Sequence, residues 1–321
     1  MFMDNILEIK NLDLFFRFDD KEYQALYDIN LNFERGKLHS IVGESGCGKT
    51  MTMMSVIRLL PKTAFIKNGQ VLFNGENLLD YKESKMRDIR GNKIALIPQD
   101  PMTSLNPLYT VGNQLIEAIQ AHRKVSNHQA LRKAKEVMDL VKIPDADNKL
   151  KMYPHEFSGG MKQRIIIGMA LACNAELIIA DEPTTALDVT IQKQIMDLIS
   201  ELQKEYKTTI ILISHDLALV SNYADTISVM YSGRVVEQAV SNEFFKNTQH
   251  PYSIALLNSL PGDDSKQKLN IIAGSPPNIQ EIITGCKFHP RCSLFEAGLC
   301  DEKIPSLEAK SSDHFCACFK V

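Results

Sequence analysis

The sequence predicts an α/β protein: a parallel sheet covered by helices, an antiparallel β segment ahead of it, and a helical insertion within it. Three observations carry this expectation. First, Gly43-Glu44-Ser45-Gly46-Cys47-Gly48-Lys49-Thr50 is a complete glycine-rich phosphate-binding loop between the apolar run 38–42 and a helix-compatible stretch, 51–60. That motif works only as strand, loop and helix. Second, strand patterns return at 177–180 and 209–214 around an amphipathic helix at 191–206, and strands alternating with helices imply a parallel sheet. Third, Leu115, Ile119, Ala130, Ala134, Val137, Leu140 and Val141 recur at helical spacing between 111 and about 142, as a helical insertion requires.

The remaining elements follow in order. Residues 6–18 alternate apolar and polar, then turn through Phe18-Asp19-Asp20-Lys21 as a hairpin does, with 25–33 as the second strand. The turn Glu34-Arg35-Gly36-Lys37 leads into the strand before the phosphate loop, and Pro61 stops the helix after it. Residues 70–73, closed by Asn74-Gly75, form a short strand, and 93–98 form a buried one ending in Gln99. Past Pro251 the chain turns to Pro-, Gly- and Cys-bearing segments. These shifts divide it into a domain at 1–250, with its helical part at about 105–163, and an extension at 251–321.

Composition narrows the class. The 321 residues are 44% hydrophobic and 23% charged, as in ordinary globular proteins. A net charge of −3 speaks against a broad basic surface for nucleic acid. The longest apolar run, 165–173, is about half a bilayer span, and no charged-then-apolar secretory signal opens the chain. Of seven cysteines, Cys47 and Cys173 stand alone and five fall between Cys286 and Cys318. In a cytosolic protein that clustering reads as a metal site rather than as disulfides.

The motifs define a phosphate chemistry. Backbone N–H groups of the glycine-rich loop converge on phosphates, Lys49 bridges the terminal ones, and the Thr50 hydroxyl ligates Mg²⁺. Residues 177–183 read Leu-Ile-Ile-Ala-Asp-Glu-Pro, an apolar strand tipped by two carboxylates. Asp181 is suited to hold Mg²⁺ and Glu182 to act as general base on the attacking water. Ser158 is a natural helix N-cap, and Gly159 and Gly160 let a phosphate approach the helix start.

Together these residues resemble the ATP-binding-cassette (ABC) family, a P-loop NTPase fold, over residues 4–250. Its Leu-Ser-Gly-Gly-Gln signature stands here as Phe157-Ser158-Gly159-Gly160-Met161. The resemblance assigns Gln99 to the loop glutamine that contacts Mg²⁺ or water. It assigns Ala186-Leu187-Asp188 to the loop crossing the dimer interface, and His215 to the switch histidine at the γ-phosphate. It also implies an aromatic on adenine, for which Phe16 is the choice and Phe18 and Tyr23 the neighbours. In this family two cassettes pair head to tail, each ATP lying between one phosphate loop and the other chain's Ser-Gly-Gly helix start.

The tail, with Gly285-Cys286-Lys287-Phe288-His289-Pro290-Arg291-Cys292, Cys300 and His314-Phe315-Cys316-Ala317-Cys318, resembles the extension of oligopeptide and dipeptide importer ATPases. His250-Pro251-Tyr252, Gly274-Ser275-Pro276-Pro277 and the stretch from Gln99 to Pro107 fit the same branch. The resemblance implies a 4Fe-4S cluster on Cys286, Cys292, Cys300 and Cys318, with Cys316 the alternative fourth ligand and Zn²⁺ the alternative occupant. It implies a site that fastens the tail without a part in ATP chemistry, and Cys47 as a loop thiol open to thiol reagents. It further implies an ATP-hydrolysing importer subunit at the cytoplasmic face of the inner (plasma) membrane. Its partners there are a second, different ABC ATPase, two transmembrane permeases and an extracytoplasmic substrate-binding protein. Nickel or another small solute is the alternative cargo to peptides, and a soluble ABC ATPase acting on ribosomes or DNA is the alternative class.

Overall fold

The computed structural model describes residues 4–185, 187–259, 272 and 274–321. The chain forms two compact units, Met1–Glu34 with Leu38–Leu79 and Ile213–Val321, and Arg35–Lys37 with Asp80–Leu212.

The first unit opens on the expected hairpin, β1 (Asn5–Phe18) and β2 (Lys21–Glu34). Asp19 and Asp20 both take positive φ, the turn geometry that matches the twist of a two-residue hairpin. Next come β3 (Leu38–Val42), α1 (Lys49–Val56), β4 (Ala64–Phe73) and β5 (Glu76–Asn77). The antiparallel sheet runs β2-β1-β4-β5. Strand β4 starts six residues earlier than its apolar pattern, because Ala64, Phe65 and Ile66 pair with Phe16, Phe15 and Leu14 of β1. Helix α1 ends well before Pro61: Arg58 turns left-handed (φ 52°) and the Leu59 N–H closes on the Met54 carbonyl at 3.0 Å.

The second unit holds α2 (Glu83–Ile89), β6 (Ile94–Ile97), α3 (Pro101–Ser104), α4 (Val111–His122), α5 (Asn127–Leu140), α6 (Ala146–Lys149), α7 (Gly159–Leu171), β7 (Leu177–Asp181) and α8 (Val189–Tyr206). The helical segment expected from 111 to about 142 is built of two helices, α4 and α5. Ser126 starts the second with a reciprocal cap on Gln129, which satisfies two backbone donors at the break. Strands β6 and β7 are parallel, with Ile97 opposite Ala180. Leu115, Ile119, Ala130, Ala134 and Val137 are all buried.

Strand β8 (Thr209–Ser214) returns the chain to the first unit, which continues with α9 (Leu217–Ser221), β9 (Thr226–Tyr231), β10 (Arg234–Val240), α10 (Ser241–Lys246), α11 (Pro251–Asn258), β11 (Glu308–Ser311) and β12 (His314–Cys316). Here the strand order is β11-β12-β10-β9-β3. Strands β3 and β9 are parallel, and every later pairing is antiparallel. The sheet is therefore mixed rather than purely parallel. The β9–β10 hairpin carries a legible signal that sequence reading passed over, a Ser232-Gly233 turn between apolar strands. Gly233 is required there: its φ is 77° and an added Cβ would lie 2.1 Å from the Ala25 carbonyl oxygen.

Candidate nucleotide site and cysteine-rich tail

Strand β3 is apolar and wholly buried, so the chain leaves it at Gly43 with no freedom to drift. Gly43 sits where a Cβ would meet the Met230 carbonyl oxygen at 2.2 Å, and Gly48 precedes α1 at φ 108°. Between them the loop wraps Lys49, which is 5% exposed. Its ammonium donates to the Gly43 carbonyl at 2.7 Å and to the Glu44 carbonyl at 3.0 Å. A buried cation, a helix start and exposed Ser45 and Gly46 form an anion-binding cradle. Thr50 follows in the first turn of α1.

Cys47 is buried, where an open loop thiol was expected. It is 3% exposed, and burial pushes its thiol up, with the Lys49 ammonium acting the other way. Because the thiolate is the nucleophile, iodoacetamide at pH 7.5 is expected to label Cys47 at least about tenfold more slowly than a free cysteine of pKa about 8.5. The rate should climb with pH through 9 and beyond. Peptide mapping after timed labelling checks this, and rapid labelling at neutral pH would refute it.

Phe16, Phe18 and Tyr23, the competing aromatics, form one cluster at the tip of the β1–β2 hairpin. Phe16 pairs across the strands with Tyr23 and stacks on Phe18 with centroids 5.6 Å apart. His215 lies exposed just past β8. Asp216, beside it, caps α9 by accepting from the Leu219 N–H at 3.0 Å.

In the second unit the ends of β6 and β7 bring Gln99 and Glu182 together. The parallel register that sets Ile97 beside Ala180 places both residues two positions on. Gln99 Nε2 donates to Glu182 Oε2 at 3.0 Å, and the Thr185 hydroxyl donates to the same oxygen at 2.9 Å. Glu182 itself is left-handed, φ 46°, a conformation that a non-glycine residue adopts at a cost. Asp181 ends β7 and is 4% exposed.

The Ser158 hydroxyl caps α7, accepting from the Met161 N–H at 3.4 Å. Asp188 caps α8, accepting from the Ile191 N–H at 2.9 Å. The two helix starts are packed closely: a Cβ on Gly160 would meet Ile191 Cγ2 at 2.8 Å. Ala186 lies outside the described residues, and Leu187 and Asp188 lie within them.

Cys286, Cys292, Cys300 and Cys318 line one small cavity together with His250, Phe288 and Leu294. Burial pushes the Cys286 thiol up to about 11, and the neighbouring Cys292, Cys300 and Cys318 add to the rise. Cys316, on β12, is fully buried beside Glu237 and does not line that cavity. Among the described residues, no three His, Cys, Asp or Glu side chains are disposed to hold a metal ion.

The tail touches the phosphate loop. Arg291 and Tyr252 reach Glu44 directly. Sequence reading missed both residues, because the contact spans more than 200 positions and leaves no periodicity.

A glycine-rich anion cradle, a strand tip with buried Asp181 and half-buried Glu182, and a Ser-Gly-Gly helix start define an ATP-binding-cassette ATPase. The ABC transporter family model matches residues 26–185, and the model for the oligopeptide/dipeptide transporter C-terminal region matches residues 236–300. The chain is 47% identical over 320 residues to a probable peptide ABC transporter ATP-binding protein, y4tR, of Sinorhizobium fredii, covering 99% of this chain and 95% of the relative. It is 44% identical to the oligopeptide transport ATP-binding protein OppD of Salmonella typhimurium, covering 98% and 93%. For OppD of Bacillus subtilis the identity is 42%, covering 97% and 87%. Among solved structures, a dimeric post-hydrolysis state of the cassette MJ0796 with ADP and Pi superposes at TM-score 0.66 and 26% identity, covering 73% of this chain and 98% of that one. The chain belongs to the ABC transporter ATP-binding family, in its peptide-transporter branch. No helix among the described residues is long and apolar enough to cross a membrane.

Proposed function

We propose that this chain is the ATP-hydrolysing subunit of a membrane importer and couples ATP turnover to the uptake of dipeptides or oligopeptides. The observation that carries the reading is the co-occurrence in one chain of a nucleotide set without gaps and a C-terminal region of the oligopeptide/dipeptide transporter type. Loop residues Gly43, Glu44, Ser45, Gly46, Cys47, Gly48, Lys49 and Thr50 take the phosphates of ATP, and Phe16 stacks on the adenine. Thr50, Gln99 and Asp181 hold Mg²⁺, which neutralises charge at the phosphates. Glu182 accepts the proton of the attacking water, and His215 contacts the γ-phosphate. Ser158, Gly159, Gly160 and Asp188 serve the nucleotide of a second cassette, so the working unit is a pair of ATPases. The domain division at 250, with the helical part at about 105–163, is part of the same reading.

Docking on two permease chains at the cytoplasmic face is supported by the segment that follows Gln99. There Met102, Leu108 and Tyr109 are 57%, 79% and 54% exposed, apolar side chains that a docked partner would cover. An extracytoplasmic binding protein supplies the solute. In the tail, the four cavity-lining thiols Cys286, Cys292, Cys300 and Cys318 would be the ligands of a 4Fe-4S cluster, and because they are not disposed around an ion in this structure, binding it would have to draw them together. Their C-x5-C-x7-C spacing lacks the short knuckles common at zinc. Iron and acid-labile sulfide in the purified chain support the cluster, and zinc without them refutes it.

The test of the function is recovery of the tagged chain from gently solubilised membranes with its partners. Two multi-span permeases and a second cassette protein support the importer reading. Ribosomal or DNA-repair proteins alone would overturn it, and a co-purifying binding protein that takes nickel rather than peptides would overturn the cargo.

A further inference from the structure

Among the described residues, the C-terminal tail grips the phosphate loop at Glu44. Arg291 Nη1 and Nη2 donate to the two Glu44 carboxylate oxygens at 2.8 and 3.0 Å, the paired geometry that fixes a carboxylate in plane as well as in place. The Arg291 side chain is 6% exposed and that of Glu44 24%, so the pair is shielded from solvent. The Glu44 backbone N–H donates to the Tyr252 hydroxyl oxygen at 2.8 Å. Its carbonyl accepts from the Lys49 ammonium at 3.0 Å. Side chain, N–H and C=O of this one residue are all engaged, two of them by the tail and the third by the phosphate lysine.

The groups that hold Glu44 are themselves held. Tyr252 packs against Tyr231 with ring centroids 4.6 Å apart and against Phe288 at 5.3 Å. Arg291 Nη1 also donates to the Tyr231 hydroxyl at 3.3 Å, and Nη2 to the Gly274 carbonyl. Arg291 closes the short turn His289–Arg291 between Cys286 and Cys292. That turn is tied back by the Cys292 N–H donating to the His289 carbonyl and the His289 N–H donating to the Cys286 carbonyl.

We propose that Arg291 and Tyr252 are positioning residues for the phosphate loop: through Glu44 they set the place of the Lys49 ammonium, so the C-terminal tail tunes the affinity for ATP. The inference rests on the assignment of residues 43–50 to ATP. It departs from a tail that is only fastened to the domain, because fastening requires no contact with the backbone that carries the phosphate lysine. Arg291 acts through Glu44, and Tyr252 through the backbone of the same residue.

The test is titration of the full-length chain with a fluorescent ATP analogue and Mg²⁺, alongside thermal melting without nucleotide. Arg291→Gln is expected to weaken binding about tenfold, and Tyr252→Phe, which removes only the hydroxyl that accepts from the Glu44 N–H, about threefold. Arg291→Lys should recover part of the loss, since it restores the charge without the fork. Glu44→Gln combined with Arg291→Gln should bind no more weakly than Arg291→Gln alone, because both changes break one interaction. Lowered melting temperatures with wild-type affinity in Arg291→Gln and Tyr252→Phe would mean simple fastening and overturn the proposal. If Arg291→Gln fails to fold, the affinity of Tyr252→Phe decides. Absence of nucleotide binding by the unaltered chain would overturn the ATP assignment itself, and this proposal with it.

Discussion

Replacing Glu182 by Gln is expected to lower ATP turnover by about 10²–10⁴-fold while nucleotide binding stays within about threefold of the unaltered protein. The carboxylate sits one residue past the buried strand β7, on a left-handed backbone. Two donors, Gln99 Nε2 and the Thr185 hydroxyl, fix one of its oxygens at 3.0 and 2.9 Å. A carboxylate held in place in this way is the kind of acceptor that a general base requires. Glutamine keeps the volume and one carbonyl oxygen but cannot take a proton from water. Glu182 is half-buried rather than buried, so the change should leave the melting temperature nearly unmoved. Phosphate release measured at saturating ATP in the assembled transporter, beside nucleotide titration, separates turnover from binding. A kcat within threefold of the unaltered protein would remove Glu182 from the role of base.

The second large effect concerns how the tail is built into the fold. Replacing Glu237 by Ala is expected to cost about 3–5 kcal/mol of stability and to lower the melting temperature by about 5–10 °C. Glu237 lies on β10 and is fully buried, as is His314 on β12. Its Oε1 accepts from His314 Nε2 at 2.7 Å and from the Gln249 N–H at 2.7 Å, and Oε2 accepts from the His250 N–H at 3.1 Å. Truncation therefore strands two backbone donors and a buried imidazole at once, each of which loses water on folding and then lacks a partner. The same three bonds join the sheet, the connection into α11 and the last strand. Limited proteolysis should accordingly release tail fragments from the Ala variant sooner. An unchanged melting temperature and digestion pattern would show that the tail is anchored elsewhere. If the Glu44–Arg291 contact tunes nucleotide affinity, this substitution should also weaken ATP binding, since it loosens the frame that carries Tyr252 and Arg291.

The nucleotide chemistry was legible along the chain because covalent spacing carries it. Gly43 to Thr50 must follow a buried strand, and 38–42 reads as one. Asp181 and Glu182 must end another, and Leu177 to Ala180 read as apolar without a break. The Gln99–Glu182 contact is one step further: it needs β6 and β7 to be neighbours, after which parallel register alone brings the two residues level. Three aromatics competed for one role in the sequence, and the hairpin gathers them into one cluster, so adjacency replaces a choice between separate places. Cys47 shows the limit of motif reading. Its place in the loop was evident, yet the burial that governs its reactivity was not.

The antiparallel strands β11 and β12 were not legible, and the reason is physical. Strands of three or four residues such as β11 and β12 carry too few positions to display a period. What places them is the unpaired edge of β10, whose backbone groups need partners and find them in residues 314–316. The sequence by itself determined the family, the phosphate loop, the acidic strand tip and the Ser-Gly-Gly helix cap, all of them short motifs whose chemistry depends on neighbours in the chain. Only the tertiary structure decided that Arg291 meets Glu44 across 247 residues and that Tyr252 takes its backbone N–H. Such contacts depend on which surfaces are buried against each other, and burial is a property of the folded whole, not of any local run of residues.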